Sequence, residues 1–147
     1  MQQEQPFDYT RVPHDYAHCF NHDCPRRDEC LRHLTGLHIP KDVPLVRCVS
    51  PSVWPTDADK CPHYRTTKKI TLAWGASHMA EEAPYKQAVT IRHAVRRLWP
   101  KTTYFRISHY ERPITPDMQQ KIARIFARYA PGVQPRYDYL TEEYDFS

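Results

Sequence analysis

Five cysteines lie in the first 61 residues of this 147-residue chain, and none follows. They are Cys19, Cys24, Cys30, Cys48 and Cys61, spaced C-x4-C-x5-C-x17-C-x12-C. An odd number cannot pair fully into disulfides. The opening MQQEQPFDYT lacks a basic stretch followed by an apolar run, and the longest weakly apolar segment, Ile70 to Ala80, is interrupted by Gly75, Ser77 and His78. The chain is therefore expected to be neither exported nor membrane-spanning. In the reducing cytoplasm this implies, clustered thiols act as metal ligands or stay free rather than forming bridges.

Three thiols within twelve residues, joined by the later Cys61-Pro62, form a plausible four-thiolate site from Cys19, Cys24, Cys30 and Cys61. Thiolates at a helix start are favoured by unpaired backbone N–H groups, and a divalent cation lowers their pKa further. A closed four-sulfur zinc site has no open position, so its role is structural, contributing ~10 kcal/mol or more of folding free energy. Two readings compete with zinc. Cysteine followed by proline, as in Cys24-Pro25 and Cys61-Pro62, also surrounds [4Fe–4S] clusters, and buried thiols are ordinary core residues. Cys48, inside the apolar run PLVRCV, fits the core role best. His18, His22 and His33 lie near the cysteines, and one of them, best His22, could replace a thiolate; the alternative is that they are solvated or hydrogen-bonded surface imidazoles.

Along the rest of the chain, residues 1–18 read as an extended arm. Pro25 and Gly36 bracket a short helix, expected from about Pro25 to Thr35 with Leu31 and Leu34 inward. Residues 44–49 read as a strand, and a helix weakened by Gly75 is expected within TTKKITLAWGASHMAEE. Pro84 opens a helix carrying Ala88, Ile91, Val95 and Leu98 on one side and Arg92, Arg96, His93 and Arg97 on others. TTYFRISHYER suits a strand by composition and a helix by length. The clearest helix has Thr115 as N-cap, Pro116 at its first position, Met118, Ile122, Ile125, Phe126 and Tyr129 on one face, and Pro131-Gly132 beyond its end. In the tail, Tyr137, Tyr139, Leu140, Tyr144 and Phe146 are expected to pack back on the body.

Charge is segregated. Residues 1–63 carry a net −2, residues 64–136 hold fourteen Lys/Arg against four Asp/Glu, and residues 137–147 carry −4. A basic block between acidic ends suits a polyanionic partner, because phosphate neutralisation releases counterions. The bland alternative is a basic face that is solvated or covered by the acidic tail.

Two resemblances follow from these residues. ISHYERPITPDMQQKIARIFARY resembles the end of the recognition helix and the next helix of helix-turn-helix repressors. That resemblance implies that Thr102, Thr103, Arg106 and His109 face the major groove of duplex DNA, with Arg106 reading guanine and Lys101, Arg112 and Lys121 on phosphates. More broadly, Cys19, Cys24-Pro25, Cys30-Leu31-Arg32, Cys61-Pro62-His63-Tyr64 and the helix from Thr115-Pro116 to Phe126 resemble, in order, a family of small bacterial proteins without an assigned function. That resemblance brings no activity with it.

No phosphate-cradling glycine loop, H-E-x-x-H or G-x-S-x-G occurs, and only three glycines are present, so an enzyme is not expected. The expected fold is helix-rich α+β, with a cysteine-bound metal knuckle in residues 1–66 packed on a small helical body. Residues 67–147 form its basic helical region with an acidic aromatic tail, the whole being one cooperative unit. The expected function is nucleic-acid binding in a regulatory role, with a structural metal site. The alternative is a metal-stapled scaffold for another protein.

Overall fold

The computed structural model describes residues 6–147 and is α+β. Its helices are α1 (Leu31–Leu37), α2 (Tyr85–Arg96), α3 (Lys101–Ser108) and α4 (Pro116–Tyr129), and its two strands are β1 (Lys69–Trp74) and β2 (Tyr139–Tyr144). Single 3-10 turns occur at Tyr9–Arg11, Arg27–Glu29, Pro51–Val53 and Ala58–Lys60. Among the described residues no helix is long and apolar enough to cross a membrane. The chain divides into two compact units, Met1–Lys69 with Tyr144–Ser147, and Ile70–Glu143.

The first unit is stitched together by main-chain hydrogen bonds between segments distant in sequence. The His18 N–H donates to Arg47 O (2.9 Å) and the Val49 N–H donates back to His18 O (2.8 Å). The Leu31 N–H donates to Arg65 O (2.7 Å), the Thr67 N–H to Glu29 O (3.2 Å) and the Cys19 N–H to Arg32 O (2.9 Å). The Arg32 guanidinium adds two ties, to His63 O and Ala17 O, both 2.8 Å. Gly36 lets residues 19–20 approach α1, since a Cβ there would stand 3.0 Å from the Cys19 carbonyl oxygen. His18 is buried between two partners: its Nδ1–H donates to Arg47 O, which leaves Nε2 to accept from the Tyr9 hydroxyl at 2.8 Å.

Several expectations for this half are corrected. The helix expected from Pro25 is broken into a 3-10 turn at Arg27–Glu29 and α1 from Leu31, because Cys30 pairs with Thr66 and must leave helical geometry to do so. Residues 44–49 form no strand; the segment makes one isolated bridge, Cys48 to His18. Cys48 is exposed rather than a core thiol, and Val49 is the residue buried there. The first five residues of the expected arm lie outside the described residues, while Tyr16 and His18 within it are buried.

The second unit has a conventional apolar core. Ala88, Ile91 and Val95 of α2 pack with Met118, Ile122 and Phe126 of α4, and Ala73, Met79, Ile107 and Ile114 belong to the same cluster. α2 opens immediately after Pro84 and α4 after Thr115, whose hydroxyl accepts from the Met118 N–H. The stretch that was ambiguous between strand and helix is helical, as α3, and the chain leaves it through Tyr110 at φ 59°, a left-handed conformation.

Where a second helix was expected there is β1, paired with β2. Trp74 stacks on Tyr139 at one end and Lys69 lies over Tyr144 at the other, which sets the strands antiparallel. On the other side of β1, Ala73 exchanges two main-chain hydrogen bonds with Ile114, and Gln119 Nε2 donates to both Thr71 O and Ile114 O at 2.9 Å. Gly75, at φ +86°, follows β1; a Cβ there would run into the Asp138 carboxylate. That carboxylate ties the turn together, accepting from the Tyr110 hydroxyl (2.5 Å) and bonded to His78 Nδ1 (3.1 Å). Of the tail aromatics, Tyr137 packs on the core of this unit, whereas Tyr139 and Leu140 are exposed. Tyr144 meets Phe7, and Phe146 meets Tyr16, in the first unit.

Candidate metal site and basic groove

Cys19, Cys24, Cys30 and Cys61, the four thiols singled out by spacing, all line one cavity of about 180 Å³ in the first unit. Each comes from a different piece of local structure. Cys19 follows the His18 bridge, Cys24 precedes the turn at Arg27–Glu29, Cys30 caps the start of α1 and Cys61 closes the turn at Ala58–Lys60. The stitching hydrogen bonds at Cys19, Leu31 and Thr67 are what bring these pieces to one place. Cys48 does not line the cavity.

Burial pushes the Cys19 thiol up, and the nearby Cys30, Cys24 and Cys61 thiols push the same way, while a hydrogen bond from the Asn21 backbone opposes them. Thiols near enough to weigh on one another suit a cation at their centre. Among the described residues, however, no group of three or more His, Cys, Asp or Glu side chains is disposed to hold a metal ion as it stands. Ligation therefore requires the sulfurs to draw into the cavity.

Two buried nitrogens of residues that line the cavity bear on that chemistry. His33 is only 5% exposed; its Nε2 shares a 3.1 Å hydrogen bond with His22 Nδ1, and its Nδ1 makes no well-formed hydrogen bond. Burial chiefly, then His22 and Arg27, pull the His33 ring below its ordinary pKa, although the Arg27 backbone lies near enough to oppose this. Trp54 Nε1 is buried without a hydrogen-bond partner among the described residues. Unpartnered ring nitrogens beside four thiols are groups that can hydrogen-bond to thiolate sulfur. His22, the imidazole considered as an alternative ligand, contacts the cavity's His33 and does not itself line the cavity.

The residues expected at a nucleic-acid interface are spread over several surfaces of the second unit. Lys101 and His109 line a groove of about 530 Å³ between α2 and α3. Thr102 and Arg106 are exposed one helical step away, with Arg106 Nε 3.8 Å from the Glu111 carboxylate. Thr103 is half-buried, on the side of the buried Ile107. Arg112 is exposed beyond α3, and Lys121, on α4, is 3.0 Å from Asp117.

Other residues of that groove escaped sequence reasoning as a group: His93 and Arg96 from α2 and Arg97 just past its end, with Tyr104, Phe105 and Ser108 from α3. The signal was partly visible. Positions 101, 104, 105 and 108 share one helical face, but choosing that face required knowing that the segment is a helix. Arg96 lies over the Tyr104 ring, 5.5 Å from its centroid, and Phe105 stacks on His109 with centroids 3.9 Å apart. His109 Nδ1–H donates to Phe105 O at 2.9 Å, which fixes the ring pair. Among the described residues that line the groove, none is acidic.

No match emerged among curated proteins or among solved structures. Residues 1–146 match the profile described as a family of unknown function, DUF6078; with nearly its whole length inside that match, the chain belongs to this family.

Proposed function

We propose that the protein binds nucleic acid through its second unit and that thiolate-bound metal holds its first unit in shape. The observation that carries the nucleic-acid reading is the groove between α2 and α3. Arg96, Arg97 and Lys101 bring three fixed positive charges to a surface on which His93 and His109 also open and carboxylates are lacking. Confined like charge of this kind is stabilised by a polyanion, because each neutralised phosphate releases condensed counterions.

The test is a salt titration of binding to DNA. Log-log slopes of about −0.9 per neutralised phosphate are expected for duplex and about −0.7 for a single strand, and Arg96→Ala should lower the slope by roughly 1. Lack of binding at low salt to duplex and single strand alike removes the reading.

For the first unit, Cys19, Cys24, Cys30 and Cys61 supply four soft donors around one cavity, a set that suits zinc, with a [4Fe–4S] cluster as the alternative. When bound, such a group cross-links four segments and leaves no open coordination position, so the role is structural. His33 and Trp54 are then the candidates to donate N–H bonds to the sulfurs. Elemental analysis of protein purified without oxygen separates zinc from iron, and visible thiolate-to-iron absorption confirms a cluster. Protein that is fully folded with neither element refutes this part.

A further inference from the structure

The groove that supports nucleic-acid binding also says which form of nucleic acid fits, and the inference that follows rests on that reading. Phe105 is 55% exposed, an unusual position for a large apolar ring, and it is not loose. One face is occupied by His109, 3.9 Å away between centroids at an interplanar angle of 28°, and His109 is itself held by its hydrogen bond to the Phe105 carbonyl. The pair is a half-built stack on two exposed side chains. Arg96, Arg97 and Lys101 share the groove with it, and Arg96 is steadied by the Tyr104 ring.

We infer that this groove binds an unpaired nucleotide segment, a base stacking on Phe105 while its flanking phosphates lie on Arg96, Arg97 and Lys101. Bases inside a duplex are already stacked on their neighbours and show a protein only their edges. Reading a guanine edge takes a bidentate donor such as an arginine, and the arginine on α3, Arg106, does not line the groove and lies 3.8 Å from the Glu111 carboxylate. An aromatic face combined with cations is instead the arrangement that takes single strands with little sequence preference.

The experiment measures fluorescence anisotropy of the intact protein with a short labelled oligothymidylate and with a duplex of the same length. The single strand should bind more tightly. Phe105→Ala should weaken it about tenfold or more, the size of one base–aromatic stack, and should weaken duplex binding by less. Phe105→Tyr, which keeps the ring, should restore single-strand binding. Because Phe105 is exposed, the alanine variant should keep the parent's far-ultraviolet spectrum. Duplex binding as tight as single-strand binding, or a Phe105→Ala variant that loses nothing on oligothymidylate, overturns the inference and leaves the broader reading standing. Absence of binding to both probes at low salt ends both.

Discussion

The two units are nearly equal in length, yet they are held together by different means. Among the described residues the first buries three apolar side chains, Tyr16, Leu31 and Val49; the second buries fourteen, with Phe126, Ile91, Ile107, Ile114 and Ile122 almost wholly out of water. Burial at about 25 cal/mol per Å² can account for the second unit. The first has too small an apolar core for that, and takes its shape from hydrogen bonds between distant backbone segments and from Arg32 lodged among carbonyl oxygens. Hydrogen bonds fix geometry well and add only about 1 kcal/mol each to stability. A unit of that kind gains most from a staple, which is the physical argument behind the metal proposed for its cysteine cavity.

The sharpest way to break this contrast is to remove the staple. On the proposed zinc site, Cys24→Ser or Cys30→Ser, or a strong chelator, should unfold the first unit, since a structural zinc of that kind supplies ~10 kcal/mol or more. Cys48→Ser, at an exposed position, should change stability by no more than ~0.5 kcal/mol. Cys30 caps α1, and serine is the better cap, so a loss there cannot be put down to the helix end. Amide exchange read separately in the two units distinguishes the outcomes: fast exchange confined to the first unit supports the contrast, and equal mild effects at all three cysteines defeat it.

The opposite test truncates the core of the second unit. Phe126→Ala should cost about 3–5 kcal/mol, as for other fully buried aromatics, measured as a lower denaturation midpoint for that unit. A loss below about 1 kcal/mol contradicts the view that apolar burial holds it together.

How much of this was legible in advance follows the same divide. α4 could be read in detail, because its cap, its first-turn proline and its apolar stripe are local signals that agree with one another. The four cavity cysteines were legible as a set from spacing, and Cys48 was misplaced because an apolar run such as PLVRCV does not show which of its residues is covered. β1 and β2 were missed for a different reason. KITLAW acquires its partner from residues 139–144, far along the chain, so nothing near it in sequence decides between helix and strand. Residues 139–144, YLTEEY, carry no apolar–polar alternation, and an exposed strand of this kind looks like coil until its partner is known.

A smaller effect concerns the turn that follows β1. Gly75→Ala meets two obstacles together, a left-handed φ of +86° and the Asp138 carboxylate standing where the new methyl must go. The expected cost is about 1–3 kcal/mol, with the His78 and Tyr110 contacts to Asp138 disturbed. Gly132 has the same φ of +86° and open space around it, so Gly132→Ala isolates the backbone part. Equal losses at the two glycines would mean that the Asp138 carboxylate yields at no cost.

The mildest prediction is a pH dependence that belongs to burial alone. Tyr137 packs against the core of the second unit, and that burial pushes its hydroxyl up to about 12. The unfolded chain releases the same proton near 10. The folded state therefore keeps the proton more tightly, and the stability this represents is complete below about pH 10, then falls as pH rises toward about 12. Tyr137→Phe should flatten the part of the alkaline decline that this side chain causes, whereas acidification from neutral pH should give variant and parent the same profile at Tyr137's position. Tyr16 in the first unit is also raised by burial, but Arg32 lies over its ring and opposes the rise. Tyr16→Phe should for that reason alter the alkaline profile less than Tyr137→Phe does, and a larger change from Tyr16 would indicate that its surroundings are drier than those of the apolar core.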